Sequence, residues 1–137
     1  MRFADTNVLL YAISRDPAEQ AKAERANDLL SARDLALSVQ VLQEFYVQAT
    51  RATRPDALAH DDAVELVESF ERFPVAPITG TLLRAAMRTR ERFRISYWDA
   101  AILEAARGLG CEVVLSEDLS DAVDYGGIRV ENPFAGL

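Results

Sequence analysis

The sequence predicts an α/β fold, a central parallel β-sheet flanked by α-helices in an α/β/α sandwich. Three observations carry this. Short apolar runs of strand character alternate with longer segments of helical periodicity, and right-handed crossovers then make the strands parallel with helices on both faces. The run 111–115, CEVVL, has the β-branched apolar centre of a strand covered on both sides. The 137 residues, 50% of them hydrophobic, suffice for one compact domain, 1–137, with a sizeable core.

Residues 2–4 read as a buried strand ending at Asp5, after which Thr6 and Asn7 lead into the apolar run 8–12 of a short helix. This sets polar oxygens at the carboxyl end of a strand, the edge where open α/β sheets bind ligands. Asp5 is either such a group or simply the cap of that helix. Asp16, Pro17 and Glu19 signal the next helix start, with a thin apolar stripe of Ala26, Leu29 and Leu30 running to about Ser31. Residues 35–38 form a second buried strand, and Ser38 caps a helix whose Leu42, Phe45, Tyr46 and Ala49 share one face. Glu44 lies beside that stripe on the second turn, where it is either an ordinary exposed helical acid or a side chain reaching back over the sheet edge.

Residues 51–59, with Pro55 inside them, form a polar connector; residues 61–73 keep helical spacing until Pro74 stops them. Residues 75–78 are either an extended connector or a small strand. Thr79 caps a helix through about Arg92, and this segment and its tail carry Arg84, Arg88, Arg90, Arg92 and Arg94 against the single acid Glu91. In a chain of net charge -7 such a row is either a solvated helix face or a phosphate-contacting surface, with Arg84, Arg88 and Arg92 as the candidate phosphate contacts.

In residues 96–110, Ser96 is placed to cap and Asp99 follows three residues later, in a first turn that favours an ionised carboxylate. Trp98, Ala101, Ile102, Ala105 and Leu109 form the expected packed stripe, and Gly108 or Gly110 the left-handed stop. After the strand 111–115 come Ser116, Glu117 and Asp118; a last strand, 128–130, follows the Gly126–Gly127 turn, before the Asn132-Pro133-Phe134 tail.

Several chemistries are excluded. Cys111 is the only cysteine, so neither an internal disulfide nor a thiolate cage is available. His60, the only histidine, stands in a polar stretch beside no nucleophile motif and reads as a surface residue. Lys22 is the only lysine, and neither a Walker A loop nor a strand-linked GxGxxG occurs. No run approaches the ~20 apolar residues of a membrane span, and the MRFADTN start lacks a signal-peptide pattern, so a cytoplasmic protein is expected.

The acids fall at matching places on this scheme: Asp5 after the first strand, Glu44 on the helix after the second, Asp99 opening a late helix, and Asp118 after CEVVL. Two unit charges ~5 Å apart repel by roughly 3 kcal/mol at an effective dielectric of 20. A converging cluster therefore calls for a cation, and all-oxygen ligation indicates Mg²⁺ or Mn²⁺.

FADTNVLLYA, the Glu44 helix, SYWDAAILEAA, and VVLSEDL followed by GGIRVENPF together resemble the PIN domain, and more narrowly the toxin ribonucleases of bacterial VapC type, over nearly the whole chain. The resemblance implies metal-dependent RNA hydrolysis with an acidic quartet of Asp5, Glu44, Asp99 and Asp118, supported by Asn7 and Ser116. Asp5 and Asp99 would be direct ligands, Asp118 a direct or water-mediated one, and Glu44 a ligand to a second ion or the group orienting water. Glu117, Asp121 and Asp124 compete with Asp118 for the fourth place. The implied partners are an RNA substrate, a cognate antitoxin and a second copy in a homodimer, without a membrane. Two other readings remain: a PIN-like binding module without turnover, and an α/β phosphatase or phosphotransfer domain. Against the latter, Asp5 lacks a second Asp two residues on and no lysine follows a late strand.

Overall fold

A computed structural model describes residues 1–137 throughout. Five parallel strands form one sheet: β1 (Arg2–Ala4), β2 (Leu35–Ser38), β3 (Val75–Ala76), β4 (Val113–Leu115) and β5 (Arg129–Glu131), in the order β3-β2-β1-β4-β5. Phe3 pairs with Ala36 on one side and Val114 on the other, so β1 is central. The chain first builds outward from β1 through β2 and β3, then crosses to its other side for β4 and β5. This reversal makes the carboxyl ends of β1 and β4 a topological switch point, where such sheets open a crevice.

Six α-helices flank the sheet: α1 (Thr6–Ala12), α2 (Gln20–Ser31), α3 (Val39–Ala49), α4 (His60–Phe70), α5 (Gly80–Phe93) and α6 (Tyr97–Gly108). Four of the expected caps are made: Asp5, Ser38, Thr79 and Ser96 accept from the backbone N–H of Thr6, Val41, Leu82 and Asp99. Burying β2 on both faces and packing Phe3, Leu9, Phe45, Leu103 and Val114 at zero exposure makes one core between the helix layers.

The departures from the sequence reading are local. Residues 75–78 resolve into a two-residue edge strand, β3, because Leu37 and Ser38 supply a pairing partner. The Asp16 start opens a 3-10 turn, Pro17–Glu19, before α2 proper, and the Asp16 side chain caps Ala18. Helix α4 stops at Phe70, short of Pro74, with Glu71 to Phe73 in turns. The CEVVL run pairs only from Val113, and β5 lies one residue later than expected, because register with β4 sets its limits. Of the two candidate stops after α6, Gly110 is the left-handed residue, at φ 79°.

Candidate active site

Asp5 stands where β1 gives way to α1. Its backbone N–H still pairs with Leu115 of β4, which fixes it to the sheet edge, while its Oδ1 accepts from the Thr6 N–H at 2.8 Å. Its Oδ2 accepts from the Ser116 hydroxyl at 2.7 Å. Ser116, fully buried just after β4, is a hub: its Oγ also accepts from the backbone N–H of Asp118 and Leu119 and from the Asn7 amide. The Asn7 amide donates to Asp118 Oδ2 at 3.2 Å, and its carbonyl accepts from the Glu117 N–H. Asn7 and Ser116 thus tie the Asp5 turn to the Asp118 turn.

Glu44 reaches the same edge from α3. Thr6 Oγ1 donates to its Oε2 at 2.7 Å and Gln40 Nε2 to its Oε1 at 3.1 Å, so both carboxylate oxygens are oriented. Asp99 is presented by the first turn of α6, whose start is fixed by the 3.0 Å bond from the Asp99 N–H to Ser96. All four acids line one cleft of about 330 Å³ at the switch point. Glu117 lines it too, but Lys22 donates to it at 2.7 Å and the Tyr11 hydroxyl donates to its other oxygen, and this company holds its carboxyl below the usual range despite burial. Asp121 is diverted to the Asn132 N–H and Asp124 to the Gly127 N–H. Among the acids after β4, Asp118 is left facing the other three.

The quartet has no cationic partner. None of the seven ion pairs in the structure uses Asp5, Glu44, Asp99 or Asp118, and the one arginine lining the cleft, Arg54, is engaged with Asp56 at 3.1 Å. Burial pushes the Asp5 carboxyl up to about 6 against the pull of its Ser116 and Thr6 hydrogen bonds, and the charges of Glu44 and Asp118 add to the rise. Asp99 is raised chiefly by burial, then by Asp118 and Glu44. Self-repelling carboxylates with oriented oxygens and no counter-ion are the donor set a hard divalent cation requires. The four line one cleft, but no three of them stand close enough together to form a closed ligand cage.

The remaining predicted residues lie elsewhere. Arg84, Arg88 and Arg92 are exposed on α5 and do not line the cleft. Arg88 and Arg92 border a separate shallow groove with Thr89, Glu104 and Arg107, and Arg92 rests on the Phe93 ring at 4.7 Å. Trp98, expected on the packed stripe of α6, is instead 64% exposed at the cleft; Ala101, Ile102 and Ala105 keep the stripe. The first turn of α6 buries Ala100 against Ala86 and Ala101, with Tyr97 packed on them, and leaves Trp98 on the cleft side. The sequence reading passed over Thr6, Gln40 and Arg54. Gln40 precedes Glu44 by four residues, a spacing that marks a same-face partner, whereas nothing local distinguishes Arg54 from its neighbours in the connector.

Residues 2–120, which include all four acids, match the PIN domain family. The chain is 30% identical over 139 residues to Ribonuclease VapC24 of Mycobacterium tuberculosis, covering 94% of each. Among solved structures it resembles a toxin-antitoxin complex from Klebsiella pneumoniae, with TM-score 0.70 and 20% identity over 98% of both chains. It is also similar to Mycobacterium tuberculosis VapC20, a Sarcin-Ricin loop cleaving toxin, with TM-score 0.67 and 20% identity over 86% of this chain and 90% of that one. A DNA-bound VapBC structure from Salmonella typhimurium gives TM-score 0.69 at 21% identity, over 96% of this chain and 97% of that one. With sheet order, acidic cleft and sequence in agreement, this chain belongs to the PIN domain family, in its VapC branch.

Proposed function

We propose that the protein is a Mg²⁺- or Mn²⁺-dependent endoribonuclease that hydrolyses RNA phosphodiester bonds at this cleft, and that it is the toxin of a cytoplasmic toxin-antitoxin pair. The observation that carries the reading is that Asp5, Glu44, Asp99 and Asp118 all line one cleft with no cation of the protein's own to balance them. Asp5 and Asp99 would hold the ion directly, and Asp118, the most exposed of the four, directly or through water. A divalent ion there supplies an activated water and a positive charge against the phosphate. Thr6 and Gln40 orient Glu44, either to a second ion or to the attacking water, and Ser116 and Asn7 fix the carboxylates of Asp5 and Asp118.

At net charge -7 the protein repels a polyanion at long range, so RNA capture depends on the ions and on local arginines. Arg54 at the cleft is the nearest; Arg84, Arg88 and Arg92 serve an RNA that extends along α5. The same acidity suits a basic partner, in keeping with the toxin-antitoxin complexes among the structural relatives, and the reading includes a cognate antitoxin and a homodimer.

The test is incubation with RNA and, separately, with a chromogenic phosphate ester, each with Mn²⁺ or Mg²⁺ and with chelator. RNA cleavage that chelator abolishes, with the ester untouched, is expected, and Asp5→Asn or Asp99→Asn should lower it by on the order of 100-fold or more with the fold intact. Ester hydrolysis without RNA cleavage would establish the phosphatase reading, and RNA binding without cleavage the binding module.

A further inference from the structure

The one tryptophan of the chain is spent on solvent. Trp98 is 64% exposed, although tryptophan is on average a heavily buried side chain, and it contributes nothing to the core. Its position is nevertheless closely defined. It is on the first turn of α6, next in sequence to Asp99, and lines the same cleft as the four acids. Tyr97 packs edge-on against it with ring centroids 5.0 Å apart. Gln40, only 9% exposed, spans from the Trp98 carbonyl at 3.3 Å to Glu44 Oε1 at 3.1 Å, so one buried amide sets this turn in register with the acid opposite.

We infer that Trp98 is a stacking platform for one unpaired base of the RNA, the nucleotide next to the phosphate held at the acids, and that it biases the enzyme towards single-stranded or splayed sites. The inference rests on the ribonuclease reading. A ligand that fits here must offer phosphate oxygens to the acidic end, through cations, and a flat apolar face to the indole one residue away. A nucleotide does both, and stacking tolerates any base because each has a π face. The cleft is otherwise mostly polar, so the indole forms no continuous apolar patch of the kind that seats a protein helix.

Because Trp98 is the only tryptophan, it reports on itself. Wild type, Trp98→Ala and Trp98→Phe are titrated in Mn²⁺ with a short single-stranded RNA carrying phosphorothioate linkages to slow cleavage, and with RNAs of the same length in which each position in turn is abasic. RNA should quench the wild-type fluorescence. Trp98→Ala should weaken binding roughly 5- to 150-fold, the range found for losing one base–aromatic stack, with Trp98→Phe in between. One abasic position should weaken wild type to the same degree and leave Trp98→Ala indifferent. With cleavable RNA the loss should fall on KM more than on kcat.

If wild type neither binds nor cleaves RNA, the ribonuclease reading itself fails. If it cleaves RNA while its fluorescence ignores RNA and Trp98→Ala matches it in Kd and KM, the stacking role alone is overturned. Unchanged RNA binding with altered self-association in Trp98→Ala would overturn it as well, and make the indole a contact between copies of the chain.

Discussion

Burial raises the Asp5 carboxyl from the ordinary 3.8 to about 6, and a raised carboxylate works against the folded state once ionised. Between those values the folded protein keeps a proton that the unfolded chain has lost. Stability from this group is therefore full below about pH 4 and is lost as pH rises through about 6, by on the order of 3 kcal/mol at 1.36 kcal/mol per unit. Urea denaturation in chelator from pH 4 to 7 should show this decline, and Asp5→Asn should flatten it; equal slopes in the two proteins would place the strain elsewhere. Ser116 makes the complementary prediction. Its buried hydroxyl serves Asp5, Asn7 and two backbone N–H groups, so Ser116→Ala should cost about 1–3 kcal/mol, read as a lower urea midpoint at unchanged slope.

At the scale of elements, caps of the same chemistry have different consequences. Thr79 starts α5 and Ser96 starts α6 by the same bond to the third helical N–H, and each replaced by Ala should cost about 1 kcal/mol. Only the Ser96 cap holds a turn that carries a cleft acid. RNA cleavage by Ser96→Ala should fall several-fold, while Thr79→Ala stays near wild type at a temperature where both are folded. Equal activity losses would mean that position within the cleft does not depend on this cap. The two helices meet at Arg94, which turns the chain at φ 55° without the help of glycine and so sets where α6 begins.

For the whole molecule, the sheet order brings together four acids from distant parts of the chain, and their repulsion is a property of the assembled fold alone. Mn²⁺ or Mg²⁺ added to chelated protein near neutral pH should raise the melting temperature, and the gain should grow with ion concentration as mass action requires. In Asp99→Asn the gain should shrink, and the metal-free variant should be at least as stable as metal-free wild type, because one repelling charge is gone. A melting curve indifferent to millimolar ion, with a destabilised Asp99→Asn, would reduce Asp99 to a structural cap.

Whatever depends on near neighbours along the chain was written in the sequence. Caps at Asp5, Ser38, Thr79 and Ser96, the β-branched centre of 111–115 and the strand–helix alternation are local, and they determined the fold class and placed three of the acids at strand ends or helix starts. That Glu117 is already engaged, while Asp118 has no cationic partner, is tertiary, because the groups that bind Glu117, Lys22 and Tyr11, lie 95 and 106 residues away. The existence of β3 needed β2 beside it, since two residues cannot pair with nothing. Arg54 reaches the cleft because the connector is routed there by packing, and composition says nothing about the route. Trp98 is the clearest case: helical spacing assigns it to the face of Ala101, Ile102 and Ala105, but only the assembled fold decides which residues of that face meet the core and which line the cleft.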